Sequence, residues 1–247
     1  MRGAGSGVAV SGNGSRSTAP TAATSVHERL RADILSGRLL PGRLTIRTLS
    51  ERYGVGQTPL REALNRLAAD GLLLAEDQRG FAVPGISAEE LEELTRTRCW
   101  LEERALRESI AAATEAWEEA LVLAAHRLSR TPRTLEGGML NPSWEERHRA
   151  FHEALISNCG SRWLMGFCRQ LTDRHQRYRH LAAARSRAAR DVEAEHREIL
   201  EATLRRNADA AVALLSAHYW RTARVILEDR SLFPGAGGGL GRAAEGG

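Results

Sequence analysis

Apolar residues recur at helical spacing in two short adjacent segments of the chain. From Thr45 to Tyr53 they are Leu49 and Tyr53, and from Pro59 to Leu67 they are Leu60, Leu64 and Leu67, so each segment has one burying face and one polar face. Gly54 supplies the left-handed residue that ends the first segment, Val55 carries the turn, and Pro59 fits the first turn of the second, where a missing N–H costs little. Thr48 and Glu51 are expected to form the capping box of the first helix. Arg61, Asn65 and Arg66 fall on the polar side of the second. This is the grammar of a helix-turn-helix, whose second helix has the width and polarity to enter a major groove.

The same pattern extends on both sides. Val26, Leu30 and Ile34 predict a preceding helix over Thr24 to Ser36, stopped by Gly37, with Pro41-Gly42 as a turn. Beyond Gly71, the runs Leu72 to Leu74 and Phe81 to Val83 flank a polar turn, Glu76-Asp77-Gln78-Arg79-Gly80, and predict a hairpin. Three helices and a hairpin make a winged helix over residues 24–85, with Arg79 and Gly80 at the wing tip able to approach a sugar-phosphate backbone. After the Pro84-Gly85 boundary, Ser87 to Glu90 form a second capping box. Helical periodicity then continues over 88–113, 115–128, 143–158, 161–181, 188–206 and 209–231, without a convincing strand. The expected fold is mainly α, a winged helix-turn-helix followed by an all-α bundle over 86–232. The Gly-, Ser- and Ala-rich segments 1–23 and 233–247 are expected to be disordered tails.

Composition refines this picture. A chain of 247 residues is long enough for two cores. Its net charge of +4 is mild, so a localised basic face argues for nucleic acid better than the total does. Every basic residue other than histidine is Arg. Arg offers planar, permanently charged donors for phosphate and carboxylate, although codon bias in a GC-rich genome is the simpler source of the missing Lys. Cys99, Cys159 and Cys168 are odd in number and lack C-x-x-C spacing, which argues against a disulfide framework or a thiolate zinc site and fits a reducing cytoplasm. No apolar run approaches the roughly 18 residues of a bilayer span. Trp100, Trp117, Trp144, Trp163 and Trp220 are expected to be packing anchors in the bundle.

One pattern in the bundle is not required by packing. His148 and His152 stand four apart on one predicted helix, which places both imidazoles on one face a turn apart. His196 and His218 lie on the last two predicted helices, which could bring them to the same interior point as ligands of one metal ion. Hydrogen-bonded imidazoles inside a bundle without metal are the alternative. His27, His126, His175 and His180 have no such context and are expected at the surface or with satisfied partners.

Taken together, the chain resembles the GntR family of bacterial transcription regulators in its FadR-like branch. The stretches that carry the resemblance are LSGRLLPGRL (35–44), LSERYGVGQTPLREALNRLAADGLL (49–73) and RGFAV (79–83), followed by RCWLEERA (98–105), HRAFHEALISNCG (148–160), EHREIL (195–200) and AHYWR (217–221). The resemblance implies a homodimeric repressor that binds a palindromic double-stranded operator and responds to a small carboxylate in the helical domain.

It further implies that Arg47, Gln57, Thr58 and Arg61 contact DNA, with Gly80 on the wing. Arg98 is implied as an effector-binding residue, with an i+4 ion pair to Glu102 as the alternative. Phe151-His152, His196 and His218 match the branch's metal pattern, but His148 stands where an aspartate is expected. Four imidazoles favour Zn²⁺, with Ni²⁺ also suited, over hard oxygen-preferring ions. Gly56-Gln57 likewise replaces a Ser-Arg pair, and Gln can pair with adenine where Arg reads guanine. Two other readings are a metal-free pocket for a larger acyl ligand and a zinc hydrolase, the latter lacking an obvious general base and leaving the winged helix unexplained.

Overall fold

A computed structural model describes residues 20–76, 80–136, 139–183 and 190–233. The N-terminal unit contains α1 (Ala22–Leu35), α2 (Ile46–Tyr53) and α3 (Gln57–Ala69). Val26, Leu30, Ile34, Leu60, Leu64 and Leu67 are fully buried in one cluster, as their spacing requires. Gly54 closes α2 in the left-handed conformation with φ 65°, where a Cβ would be strained.

Several details differ from expectation. Thr48 and Glu51 do not form a capping box, because α2 begins at Ile46 with Thr45 in the N-cap position, and Glu51 instead pairs with Arg47 at 3.2 Å. The first helix also starts earlier than the expected tail allowed. Thr21 caps it by accepting from the N–H of Thr24, and Ala23 is buried. The hairpin strands are β2 (Leu74–Glu76) and β3 (Gly80–Val83), while β1 (Gly42–Leu44) adds a third antiparallel strand in the order β1-β3-β2. Its three residues are too few to show an alternating pattern. Arg79 lies outside the described residues.

The bundle comprises α4 (Ala88–Ala111), α5 (Glu115–Ser129), α6 (Pro142–Ile156), α7 (Arg162–Ala183), α8 (Val192–Leu204) and α9 (Ala208–Leu227). Ser87 caps α4 as expected, its Oγ accepting from Glu90 N–H at 3.0 Å. Thr114, Asn141, Asp191 and Asn207 cap four later helices in the same way. Leu106, Leu121, Phe151, Leu155 and Ile199 form the fully buried centre of its core. After α9, a 3-10 turn at Arg230–Leu232 turns Leu232 and Phe233 onto Leu91, Tyr178 and Ile226, so Phe233 is part of the bundle and not of a tail. Trp117 and Trp144 are buried, but Trp100 and Trp163 are 63% and 70% exposed and do not anchor the core.

The C-terminal half of α7 joins the two units. Asp173 pairs with Arg31 of α1, the Arg174 guanidinium lies against Gly71, and Arg177 donates to the carbonyl of Pro84 in the connecting segment. Tyr178 Oη donates to Glu90 at 2.7 Å at the start of α4. Replacing the wholly buried Leu64 by Ala should lower the stability of the winged helix by about 2–5 kcal/mol, read from chemical denaturation, because both apolar contact and cavity terms are lost.

Candidate functional site

Helix α6 presents His148 and His152 one turn apart, and α8 and α9 bring His196 and His218 against them. One ring nitrogen from each of these four buried residues lies within 4.8 Å of the others. The Nε2 atoms of His148 and His152 are 3.1 Å apart, a separation at which two lone pairs must share a proton or flank a cation. His196 Nε2 is buried without a hydrogen-bond partner. Such an orphan costs about 1–3 kcal/mol unless something meets it, and an unpartnered nitrogen among three other imidazoles fits a metal ion.

Neighbouring helices aim the rings. His218 Nδ1 lies 2.8 Å from Glu195 Oε2 and His152 Nδ1 lies 3.0 Å from Tyr219 Oη. The carboxylate can only accept, so His218 Nδ1–H donates to it and Nε2 keeps its lone pair. Tyr219 Oη donates to Glu102, which leaves its oxygen to accept from His152 Nδ1–H, again freeing Nε2. Glu102 is in turn held by Arg98 Nε at 2.6 Å, and the Arg98 guanidinium stacks 3.9 Å from the Tyr219 ring centre. On the opposite side Trp144 stacks on His148 at 4.5 Å and 16°.

Electrostatics keep the set neutral. Burial pushes His196 down to about 2 and His218 down to about 4, and it holds His148 and His152 well below the usual imidazole range. Neighbouring imidazoles add to this in His148, His152 and His196, whereas the Glu195 carboxylate opposes it in His218. For Glu195, burial opposes ionisation, but hydrogen bonds from Arg190 and His218 outweigh it and hold the carboxyl well below its ordinary value. Glu195 was not anticipated from sequence. Its role depends on α8 and α9 packing side by side, although its adjacency to His196 was a usable hint.

A cavity of about 260 Å³ opens onto His148 and His218. Arg133, Arg179 and Arg190 line it, with Glu145 paired to Arg179 at 2.7 Å. These three arginines, scattered over almost sixty positions, carried no sequence signal. Arg98 does not line that cavity. It is buried, and its ion pair with Glu102 is an interior one, while its NH1 has no partner. His175 also departs from expectation, being fully buried with neither ring nitrogen hydrogen-bonded.

On the winged helix, Gln57, Thr58, Arg61, Asn65 and Arg66 are all exposed along α3, opposite its buried leucines. Arg47 is exposed on α2, and Gly80 takes φ 91° at the start of β3.

Residues 22–83 match the bacterial regulatory proteins of the gntR family, and residues 93–221 match the FCD domain. The chain belongs to the GntR family. This GntR regulator is 41% identical to the HTH-type transcriptional regulator BphR of Paraburkholderia xenovorans (strain LB400), over 81% of this chain and 82% of that protein. It is 31% identical to the HTH-type transcriptional repressor GlaR of Escherichia coli (strain K12), over 76% and 88% of the two. Among solved structures, E. coli McbR/YncC shares the fold with a TM-score of 0.71 at 22% identity, covering 85% of this chain and 99% of the other. The FCD domain agrees with the FadR-like branch. The protein is a DNA-binding transcriptional regulator and not an enzyme, and no helix among the described residues is long and apolar enough to cross a membrane.

The pH response of the metal-free protein follows from the depressed imidazoles. The unfolded chain takes up protons near pH 6.5 while the folded His218 and His196 do so only near 4 and 2, so stability is full above about pH 7.5 and falls as pH drops through 6.5. Each such histidine should contribute a slope of up to ~1.4 kcal/mol per pH unit between these limits. Denaturation between pH 7.5 and 5 should therefore be less steep in pH for His196→Gln than for the parent protein.

Proposed function

We propose that this regulator is a homodimeric repressor that grips a palindromic operator with α3 and is controlled by a small carboxylate at a divalent metal. The observation that carries the input half is the convergence of His148, His152, His196 and His218 as four neutral nitrogens. All-imidazole ligation favours Zn²⁺, with Ni²⁺ next, and disfavours Mg²⁺. Bound there, the metal supplies a Lewis-acidic position for a carboxylate oxygen.

The chain's own side chains do the rest. Glu195 and Tyr219 fix which nitrogen of His218 and His152 faces the centre. Arg179 and Arg190 are paired with Glu145 and Glu195, so the net positive field that draws an anion towards His148 and His218 centres on Arg133, which has no carboxylate partner among the described residues. Arg98 keeps one N–H available deeper in the bundle for an anion that reaches past His152, and also braces Glu102. Repression is supported by the likeness to GlaR, which carries that description.

At the output end, Arg61 and Arg47 are assigned to DNA, together with Gln57 and Thr58 at the N-terminus of α3, where backbone N–H groups and the helix dipole favour phosphate. Gly80 lets the wing backbone approach the duplex closely. One α3 covers a half-site, so a dimer reads two related half-sites.

Zinc analysis of chelator-free protein should find bound metal in the parent and loss of it in His152→Ala; equal content in both would sink the metal assignment. In gel-shift assays Arg61→Ala should abolish operator binding. Gln57→Arg should shift the consensus recovered from random DNA from adenine towards guanine at one position per half-site, and an unchanged consensus would refute the role of Gln57.

A further inference from the structure

Two cavities meet at the histidine cluster. Beside the cationic one, a larger cavity of about 570 Å³ runs between α5 and α8, and Arg133, Trp144, Arg190 and Val192 border both. His196, whose Nε2 lacks a partner, stands on its wall. The two chambers differ in chemistry. Val122, Ala125 and Leu128 recur on one face of α5, Leu200 faces from α8, and Val122 is 45% exposed, so an apolar wall borders open space. Asp191, Glu193 and Arg197 also line this chamber, and two carboxylates against one guanidinium offer a second negative charge no net attraction there.

We propose that the effector is a monocarboxylate with an apolar body. Its carboxylate lies at the neck beside Arg133 and the histidines, where Arg190 is already held by Glu195, and its hydrocarbon portion lies in the α5–α8 groove against Val122, Leu128 and Leu200. This rests on the reading of the histidine centre as a carboxylate site and adds the shape and charge of the rest of the ligand. The groove's continuity with His196 and Arg190 is what selects the body of an anchored ligand as its occupant. The apolar wall of Val122, Leu128 and Leu200 selects an uncharged end over a dicarboxylate, whose second charge would lose its water there.

The test is calorimetric titration of the zinc-loaded full chain with acetate, octanoate and suberate, the last having octanoate's length with a second carboxylate. Octanoate should bind roughly thirtyfold or more tightly than acetate, since six added methylenes leave water, and more tightly than suberate, whose second carboxylate would have to be desolvated against the apolar wall. Val122→Glu should lower octanoate affinity by roughly tenfold and leave acetate unchanged. Ser129→Phe, which fills the same groove from an exposed position, should act in the same direction if Val122→Glu folds poorly. Equal binding of acetate and octanoate would overturn the apolar body while leaving the carboxylate site intact. Binding of none of the three would overturn both. Octanoate preference that survives both variants would place the tail elsewhere and overturn the assignment. Light scattering on the same samples covers the remaining occupant: a halved mass for Val122→Glu would mean the groove joins two copies of the chain, which also overturns it.

Discussion

Four imidazoles crowded into one buried space must be neutral, and this requirement organises the C-terminal half of the protein. Two charged rings about 5 Å apart would repel by roughly 3 kcal/mol even at an effective dielectric of 20, and burial adds a further penalty for each charge. Neutral rings carry one lone pair and one N–H, so the outward nitrogen needs an acceptor if the inward one is to stay bare. Helix α8 supplies Glu195 to His218, and α9 supplies Tyr219 to His152. Tyr219 in turn depends on Glu102 and Arg98 of α4. The chain of bonds from Arg98 to His152 accounts for a charged pair in the interior: each member bonds to the next, and although Arg98 NH1 has no partner, these bonds offset desolvation that an isolated ion could not bear.

The same geometry has consequences for communication between the units. Within α7, Asp173, Arg174 and Arg177 touch the winged helix or the segment that follows it, while Arg179, half a turn beyond Arg177, borders the cationic cavity and holds Glu145. A helix is stiff over such a distance, so the cavity wall and the face that meets α1 and Pro84 belong to one rigid element.

Legibility in the sequence varied with the range of the interaction involved. Val26, Leu30 and Ile34 and the leucines of α3 were legible because burial of a helix face leaves a local period. Caps were legible where a side chain bonds to a backbone N–H three residues on, as at Ser87. They failed at Thr48, where a threonine with a glutamate three positions later sits inside a helix already begun at Ile46. Strand β1 was invisible because three residues carry no period. Trp100 and Trp163 show the limit of composition: a tryptophan's size favours burial, but its position on the helix face decides it.

The local periodicities and the spacing of His148 and His152 were determined by sequence alone, since each depends on residues within a turn or two of one another. So were the exposed polar face of α3 and the family resemblance. The arrival of His196 and His218, the inward turn of Arg98, the pairing of Glu195 with His218, and the grouping of Arg133, Arg179 and Arg190 around one cavity were decided only by tertiary structure. These contacts join residues tens of positions apart, and their geometry is set by how helices pack and rotate against each other, which no local spacing encodes.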